Sequence, residues 1–218
     1  MRIELPSGTP AELAEPPGEP IRGLVIAPDV GGLRPLFDDL CARVAADQHW
    51  MACAVEPYPG QADVPLDVRL SGSLDHERIR GDLEAAAAEL RNRGCSRVGI
   101  TGFCMGGMHV FRAAGTPTFD RGVAFYGMIR PPEQWQWPGH DPLDELAREG
   151  ATPVLAIVGG RDIWTPASDV EDLRTVGAHV TVRVYDEGEH GFVHDPSRPA
   201  HRPADAADAW EWAIDFLK

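Results

Sequence analysis

Cys104 stands in the segment Gly102-Phe103-Cys104-Met105-Gly106-Gly107, directly after the apolar run Val98 to Phe103. A cysteine flanked by glycines at a strand-to-helix turn is a variant of the G-x-S-x-G nucleophile elbow, with Cys in the place of Ser. Glycines suit that turn because its backbone is strained and a helix must pack close beside it. At the N-terminus of that helix, backbone N–H groups and the helix dipole favour thiolate over thiol. Two further strand ends carry matching groups. Gly159-Gly160-Arg161-Asp162 follows the run Pro153 to Val158, and Glu187-Gly188-Glu189-His190-Gly191-Phe192 follows Val180 to Tyr185.

A thiol attacks a carbonyl only once deprotonated, and His190 is of the type that accepts such a proton and later returns one to the leaving group. Asp162 is of the type that holds an imidazole in the required tautomer and stabilises the imidazolium. Negative charge on the attacked oxygen needs backbone N–H donors, expected from Met105, next after the nucleophile, and from Val30, in the loop after the strand Leu24 to Ala27. Taken singly, each side chain has a plainer use. A buried cysteine packs as a small hydrophobe, a post-strand aspartate caps a turn, and a histidine fills a core. The order nucleophile, acid, base, each at a strand end, favours catalysis over three separate coincidences.

The elements that must position these groups alternate. Arg2 to Pro6 has the period of an edge strand, followed by a Pro/Gly-rich turn. Leu24 to Ala27 and Met51 to Val55 are short and continuously apolar, as strands covered on both faces are. From Pro35, the apolar positions Leu36, Phe37, Leu40, Cys41 and Val44 take helical spacing. Tyr58 to Ser73 has no period and reads as loop, while Asp75 to Arg93 reads as a long helix. Strands over Val98 to Phe103, Gly122 to Tyr126, Pro153 to Val158 and Val180 to Tyr185 alternate with helices near Met105 to Ala114, Ala167 to Val176 and Pro203 to Leu217. The pattern predicts one α/β domain over 1–218: a mostly parallel sheet with helices on both faces and no large cap. The irregular stretch Ile129 to Thr152, with Trp135 and Trp137 among prolines, is either a lid or a surface loop pinned by its tryptophans.

These segments resemble the dienelactone hydrolase family of α/β-hydrolases. The resemblance rests on Gly102 to Gly107, Gly160-Arg161-Asp162, Glu189 to Phe192, Val25-Ile26-Ala27-Pro28-Asp29, Gly81-Asp82-Leu83-Glu84-Ala85 and Val123-Ala124-Phe125-Tyr126-Gly127, and it runs from about Gly23 to the C-terminus. It implies an α/β-hydrolase fold without a large cap, a Cys104-His190-Asp162 triad, and hydrolysis of a lactone or small ester through an acyl-enzyme. In the family an acid after the strand ending here at Ala27, normally Glu, contacts the thiol; this chain has Asp29, one methylene shorter. The family also binds a substrate carboxylate with two arginines. The position of one is held here by His194, and the loop of the other is shortened, leaving Arg69 and Arg78 as candidates. Trp164, Tyr126 and Phe37 are candidates for an apolar acyl pocket, or else core. A general carboxylesterase or thioesterase acting on uncharged substrates is the alternative activity, and a catalytically silent binding protein on the same fold is the alternative of another class.

Composition narrows the partners. The chain has 218 residues, with 20 Lys and Arg against 34 Asp and Glu for a net charge of −14, and its one lysine is Lys218. Nucleic-acid binders depend on clustered cations to neutralise phosphates, so none is expected to bind here. Cys41, Cys53, Cys95 and Cys104 form no C-x-x-C pair and read as reduced thiols of a cytoplasmic protein. No apolar stretch reaches membrane-spanning length. His190, His194, His201 and Asp195 are of metal-ligand type, but Pro196, Pro199 and Pro203 break any helix that would gather them, so no metal and no cofactor is expected. The expected partner is a small ester or lactone, and the chain is expected to be a monomer or small homo-oligomer.

Overall fold

In the computed structural model of the protein, residues 1–20 and 22–218 are described. Among them eight strands form one sheet. In chain order they are β1 (Arg2–Glu4), β2 (Pro10–Ala14), β3 (Arg22–Ala27), β4 (Trp50–Val55), β5 (Val98–Phe103), β6 (Gly122–Phe125), β7 (Val154–Gly159) and β8 (Val180–Tyr185). Across the sheet the order is β1-β2-β4-β3-β5-β6-β7-β8. The pairs from β4 to β8 are parallel, while β1, β2 and β4 pair antiparallel. The helices are α1 (Pro35–Gln48), α2 (Leu66–Ser71), α3 (His76–Asn92), α4 (Met105–Ala113), α5 (Pro142–Leu146), α6 (Ala167–Thr175) and α7 (Pro203–Leu217).

The central strands are apolar at consecutive positions because both of their faces are covered. Leu90 of α3 packs at Gly23, and Val110 of α4 packs at Gly122, on the face that carries Val98 and Ile100. On the opposite face Phe37 of α1 lies against Phe103 with ring centroids 5.9 Å apart, and Leu217 of α7 lies over Gly99. At the outer edge, β8 buries only its two end residues.

Two expectations need correction. Pro10–Ala14 is a strand rather than a turn: Ala11 and Leu13 are buried between Pro10, Glu12 and Ala14, and two apolar residues are too few to show a period. Leu66–Ser71 is a helix rather than loop. None of its residues is buried, and its one helically spaced apolar pair, Leu66 and Leu70, is too short a run to set a period. Of the two alternatives for the stretch after Ile129, the contacts favour the pinned loop. Arg112 of α4 donates to the carbonyls of Trp135 (2.9 Å) and His140 (3.0 Å), while Trp135 Nε1 donates to Gly72 O at 3.1 Å.

Register sets the site. Ala27 pairs with Gly102, Phe103 with Phe125, Phe125 with Ile157, and Gly159 with Tyr185, so the carboxyl ends of β3, β5, β7 and β8 lie along one edge. The chain leaves β3 toward β4 and leaves β5 toward β6, which opens a crevice between the loops after β3 and β5. Open parallel sheets bind ligands at such a reversal.

Candidate active site

Cys104 ends β5 and caps α4 with φ 55° and ψ −115°, a left-handed conformation that side-chain-bearing residues avoid. Its neighbours hold it there: Cys104 N donates to Phe125 O (3.0 Å), and its carbonyl accepts from Met108 N (3.1 Å). Gly106 makes the turn possible, since a Cβ there would lie 2.0 Å from Ala27 O. The elbow is therefore seated directly on the end of β3. The thiol opens into a cavity of about 830 Å³ whose walls include Asp29, Val30, Glu56, Arg69, Trp164 and His190.

His190, in the loop after β8, donates from Nδ1 to Asp162 Oδ2 at 2.8 Å. Asp162 is buried, and its other oxygen accepts from Trp164 N at 2.8 Å, which fixes the carboxylate. Burial pushes the His190 imidazole down, but the hydrogen bonds with Asp162 and the Cys104 sulfur outweigh it and raise its pKa to about 9. The amides of Met105 and Val30 donate to no acceptor among the described residues, and Val30 and Cys104 line the same cavity. Thus Cys104, His190, Asp162, Met105 and Val30 come together at the sheet edge.

The structure gives Asp29 other partners than the thiol. Its Oδ1 accepts from Gly31 N (2.8 Å) and Arg34 Nη1 (2.6 Å), and its Oδ2 from Arg34 Nη2 (2.9 Å) and His194 Nε2 (2.7 Å). Four donors saturate a carboxylate. Burial pushes the Asp29 pKa up, but the hydrogen bonds from His194 and Arg34 prevail and hold it far below the carboxylate range. With Nε2 donating to Asp29, His194 Nδ1 must accept, and its partner is the Tyr126 hydroxyl. Burial lowers the His194 pKa against the pull of Asp29, which suits the neutral ring that this pattern requires.

The substrate-binding candidates divide. Arg69 and Trp164 line the cavity. His194 does not: it is buried and spent on Asp29 and Tyr126, so no donor remains for a substrate carboxylate. Arg78 is also excluded, because it donates to Asp82 (3.1 Å) and to Pro57 O (2.8 Å), away from the cavity. Phe37 is fully buried core, stacked on His194 at 6.0 Å. Tyr126 is likewise buried, but its ring meets that of His190 edge-on at 5.2 Å, so it supports the site from beneath.

Two arginines that the sequence reading passed over line the cavity: Arg34 and Arg198. Arg34 lies five residues after Asp29, a spacing that could have suggested their pairing across a short loop. Arg198 lies against Gly191, where a Cβ would sit 2.5 Å from its Nη1, and its guanidinium has no hydrogen-bond or ion-pair partner among the described residues. No local pattern marks it. Leu66 and Leu70 of α2, with Met128, Pro132 and Trp135 from the pinned stretch, form the apolar wall.

Sheet order, elbow and strand-end loops together define an α/β-hydrolase. The dienelactone hydrolase family model matches residues 9–218, so the chain belongs to the dienelactone hydrolase family and is a hydrolase. A relative from Methylorubrum extorquens is 29% identical over 235 residues, covering 100% of this chain and 79% of its own length. The carboxymethylenebutenolidase of Pseudomonas putida is 29% identical over 223 residues, covering 95% of this chain and 89% of its own. Among solved structures, a Klebsiella pneumoniae protein assigned to the dienelactone hydrolases superposes with a TM-score of 0.87 at 24% identity, covering 100% of this chain and 97% of that one. A dienelactone hydrolase-like promiscuous phosphotriesterase from metagenomic libraries shares the fold, with a TM-score of 0.74 at 18% identity over 100% of this chain and 96% of its own. Among the described residues no helix is long and apolar enough to cross a membrane, and no group of three His, Cys, Asp or Glu side chains is placed to hold a metal ion.

Proposed function

We propose that the protein hydrolyses a small lactone or carboxylic ester through a Cys104 acyl-enzyme, with His190 as proton carrier and Asp162 as its orienting acid. The observation that carries this reading is His190 itself: Nδ1 is fixed on Asp162 at 2.8 Å, while the Cys104 sulfur helps raise the imidazole pKa to about 9. Such a pKa keeps the imidazole protonated at neutral pH, and the reactive form pairs that imidazolium with the Cys104 thiolate. The thiolate adds to the carbonyl carbon, and the oxygen takes up charge facing the Met105 and Val30 amides. As the intermediate collapses, the bond to the leaving oxygen breaks and His190 Nε2 gives that oxygen its proton. In a lactone the leaving oxygen stays tethered as a hydroxyl. Water then attacks the thioester, His190 takes its proton, and the departing thiolate restores the ion pair.

Substrate class follows from the cavity's charges. Arg34 is neutralised by Asp29 within the wall, whereas Arg198 is an unpaired cation next to His190. An arginine so placed suits a substrate carboxylate, as a lactone acid of the kind the family name describes would present. Leu66, Leu70 and Trp135 suit an apolar remainder, which keeps uncharged esters as the second reading. The test is turnover of a dienelactone and of an uncharged short-chain aryl ester, each beside Cys104→Ala. Preference for the dienelactone with a dead variant supports the full reading. Turnover of the neutral ester alone keeps the triad and removes the carboxylate, and full activity of Cys104→Ala would overturn the mechanism.

A further inference from the structure

Both sides of the candidate oxyanion hole, the Val30 loop and Met105, are tied to the end of β4, a strand that carries none of the reacting groups. Glu56, the first residue after β4, accepts from Leu33 N at Oε2 (3.0 Å) and from Tyr58 N at Oε1 (2.7 Å). Its carboxylate lies against Gly32, which has φ +73° and where a Cβ would meet Oε1 at 2.9 Å. Arg69 Nη1 donates to Gly31 O at 3.0 Å, and its guanidinium sits 5.0 Å from the centre of the Tyr58 ring. The Tyr58 hydroxyl in turn donates to Met105 Sδ at 3.1 Å. One half of the hole hangs on the Asp29–Arg34 loop and the other on Met105, and Glu56 braces both, directly at Leu33 and through Tyr58.

We propose that Glu56 is a positioning residue for the oxyanion hole, an inference that rests on the cysteine mechanism proposed above. The loop it braces contains Gly31 and Gly32, and glycine backbones are the freest to wander. Amide donors stabilise a developing oxyanion only if they already point at it. Without the carboxylate, Leu33 N and Tyr58 N lose their acceptor and the Val30 loop keeps only its bracing from Asp29, which leaves the amide less firmly aimed. The loss falls on the transition state, where the charge is, and leaves substrate binding almost untouched.

The experiment compares Glu56→Gln and Glu56→Ala with the unmodified chain in two reactions at the same thiol. Hydrolysis of a short-chain aryl ester passes through an oxyanion. Alkylation of Cys104 by iodoacetamide displaces iodide from a saturated carbon and does not. Removing one oxyanion donor costs on the order of 100-fold in kcat, and Glu56→Ala is expected to approach that, with KM and alkylation rate close to those of the unmodified chain. Glu56→Gln, which keeps one acceptor, should retain part of the rate, and Tyr58→Phe should show the same kcat signature in weaker form. Alkylation slowing in step with hydrolysis, a rise in KM alone, or unchanged kcat in Glu56→Ala would each overturn the proposal. If iodoacetamide leaves the unmodified chain fully active, the cysteine mechanism itself is at fault, an outcome distinct from the failure of Glu56.

Discussion

His194 Nε2 donates to Oδ2 of Asp29 across 2.7 Å, a buried imidazole–carboxylate contact between the loops after β8 and β3. It joins loops 165 residues apart in sequence. Tyr126, at the left-handed φ of 40° where β6 ends, completes the chain by donating to the far side of the ring. The three residues form a strut under the site, with the His194 ring stacked on Phe103 and Phe37.

Breaking that strut strands polar groups that have no water to turn to. His194→Phe keeps an aromatic ring between Phe37 and Phe103 but leaves the Tyr126 hydroxyl and one Asp29 lone pair unpaired. At about 1–3 kcal/mol for each of the two stranded groups, the loss is expected to be about 2–6 kcal/mol in urea unfolding. Tyr126→Phe removes one of those stranded groups, so the double variant should lose less than the sum of the two singles. Strict additivity would show that the two side chains do not act as one chain.

The proton on His190 sets a pH limit. Its folded pKa of about 9 lies above the ordinary imidazole value of 6.5, so the stability it contributes is complete below about 6.5 and drains away as pH rises through about 9. The mechanism loses its general acid over the same rise, and kcat/KM should fall through an alkaline limb near pH 9. Asp162 raises this pKa, so Asp162→Asn should move the limb toward neutrality as well as lower its height. A limb that stays in place in Asp162→Asn would mean that another group sets it.

How much of this was legible in the sequence depended on what each residue packs against. β5, β8 and α7 were readable to the residue because their apolar residues run continuously, alternate or take helical spacing, and Pro203 marks the start of α7. Cys104, Asp162 and His190 could be placed together from the chain alone because each follows such a run, and parallel register aligns strand ends. β2 and α2 were opaque: each carries only two apolar residues at its element's spacing, Ala11 and Leu13 in the first and Leu66 and Leu70 in the second, too few to establish a period. Partner choice was the other blind spot. His194 on Tyr126 and the freedom of Arg198 are settled by loops that meet in space, whereas Arg34 on Asp29 and Arg78 on Asp82, five and four residues apart, are pairings that local spacing could have suggested.

Arg198 is where substrate charge should be read. It is half-buried on the cavity wall with no acceptor among the described residues, so a carboxylate entering beside His190 would meet an unpaired guanidinium. A hydrogen bond to a charged group contributes about 1.5–3 kcal/mol, equivalent to roughly 10- to 150-fold. Arg198→Gln keeps a donor of shorter reach but removes the charge and the bidentate fork. It should lower kcat/KM for a dienelactone carboxylate by a factor in that range, chiefly through KM, and leave hydrolysis of an uncharged aryl ester nearly unchanged. Equal losses on both substrates would assign Arg198 to loop structure around Gly191 instead. No loss on either would move recognition of the anion to Arg69, whose guanidinium is otherwise occupied by the carbonyls of Gly31 and Ala62.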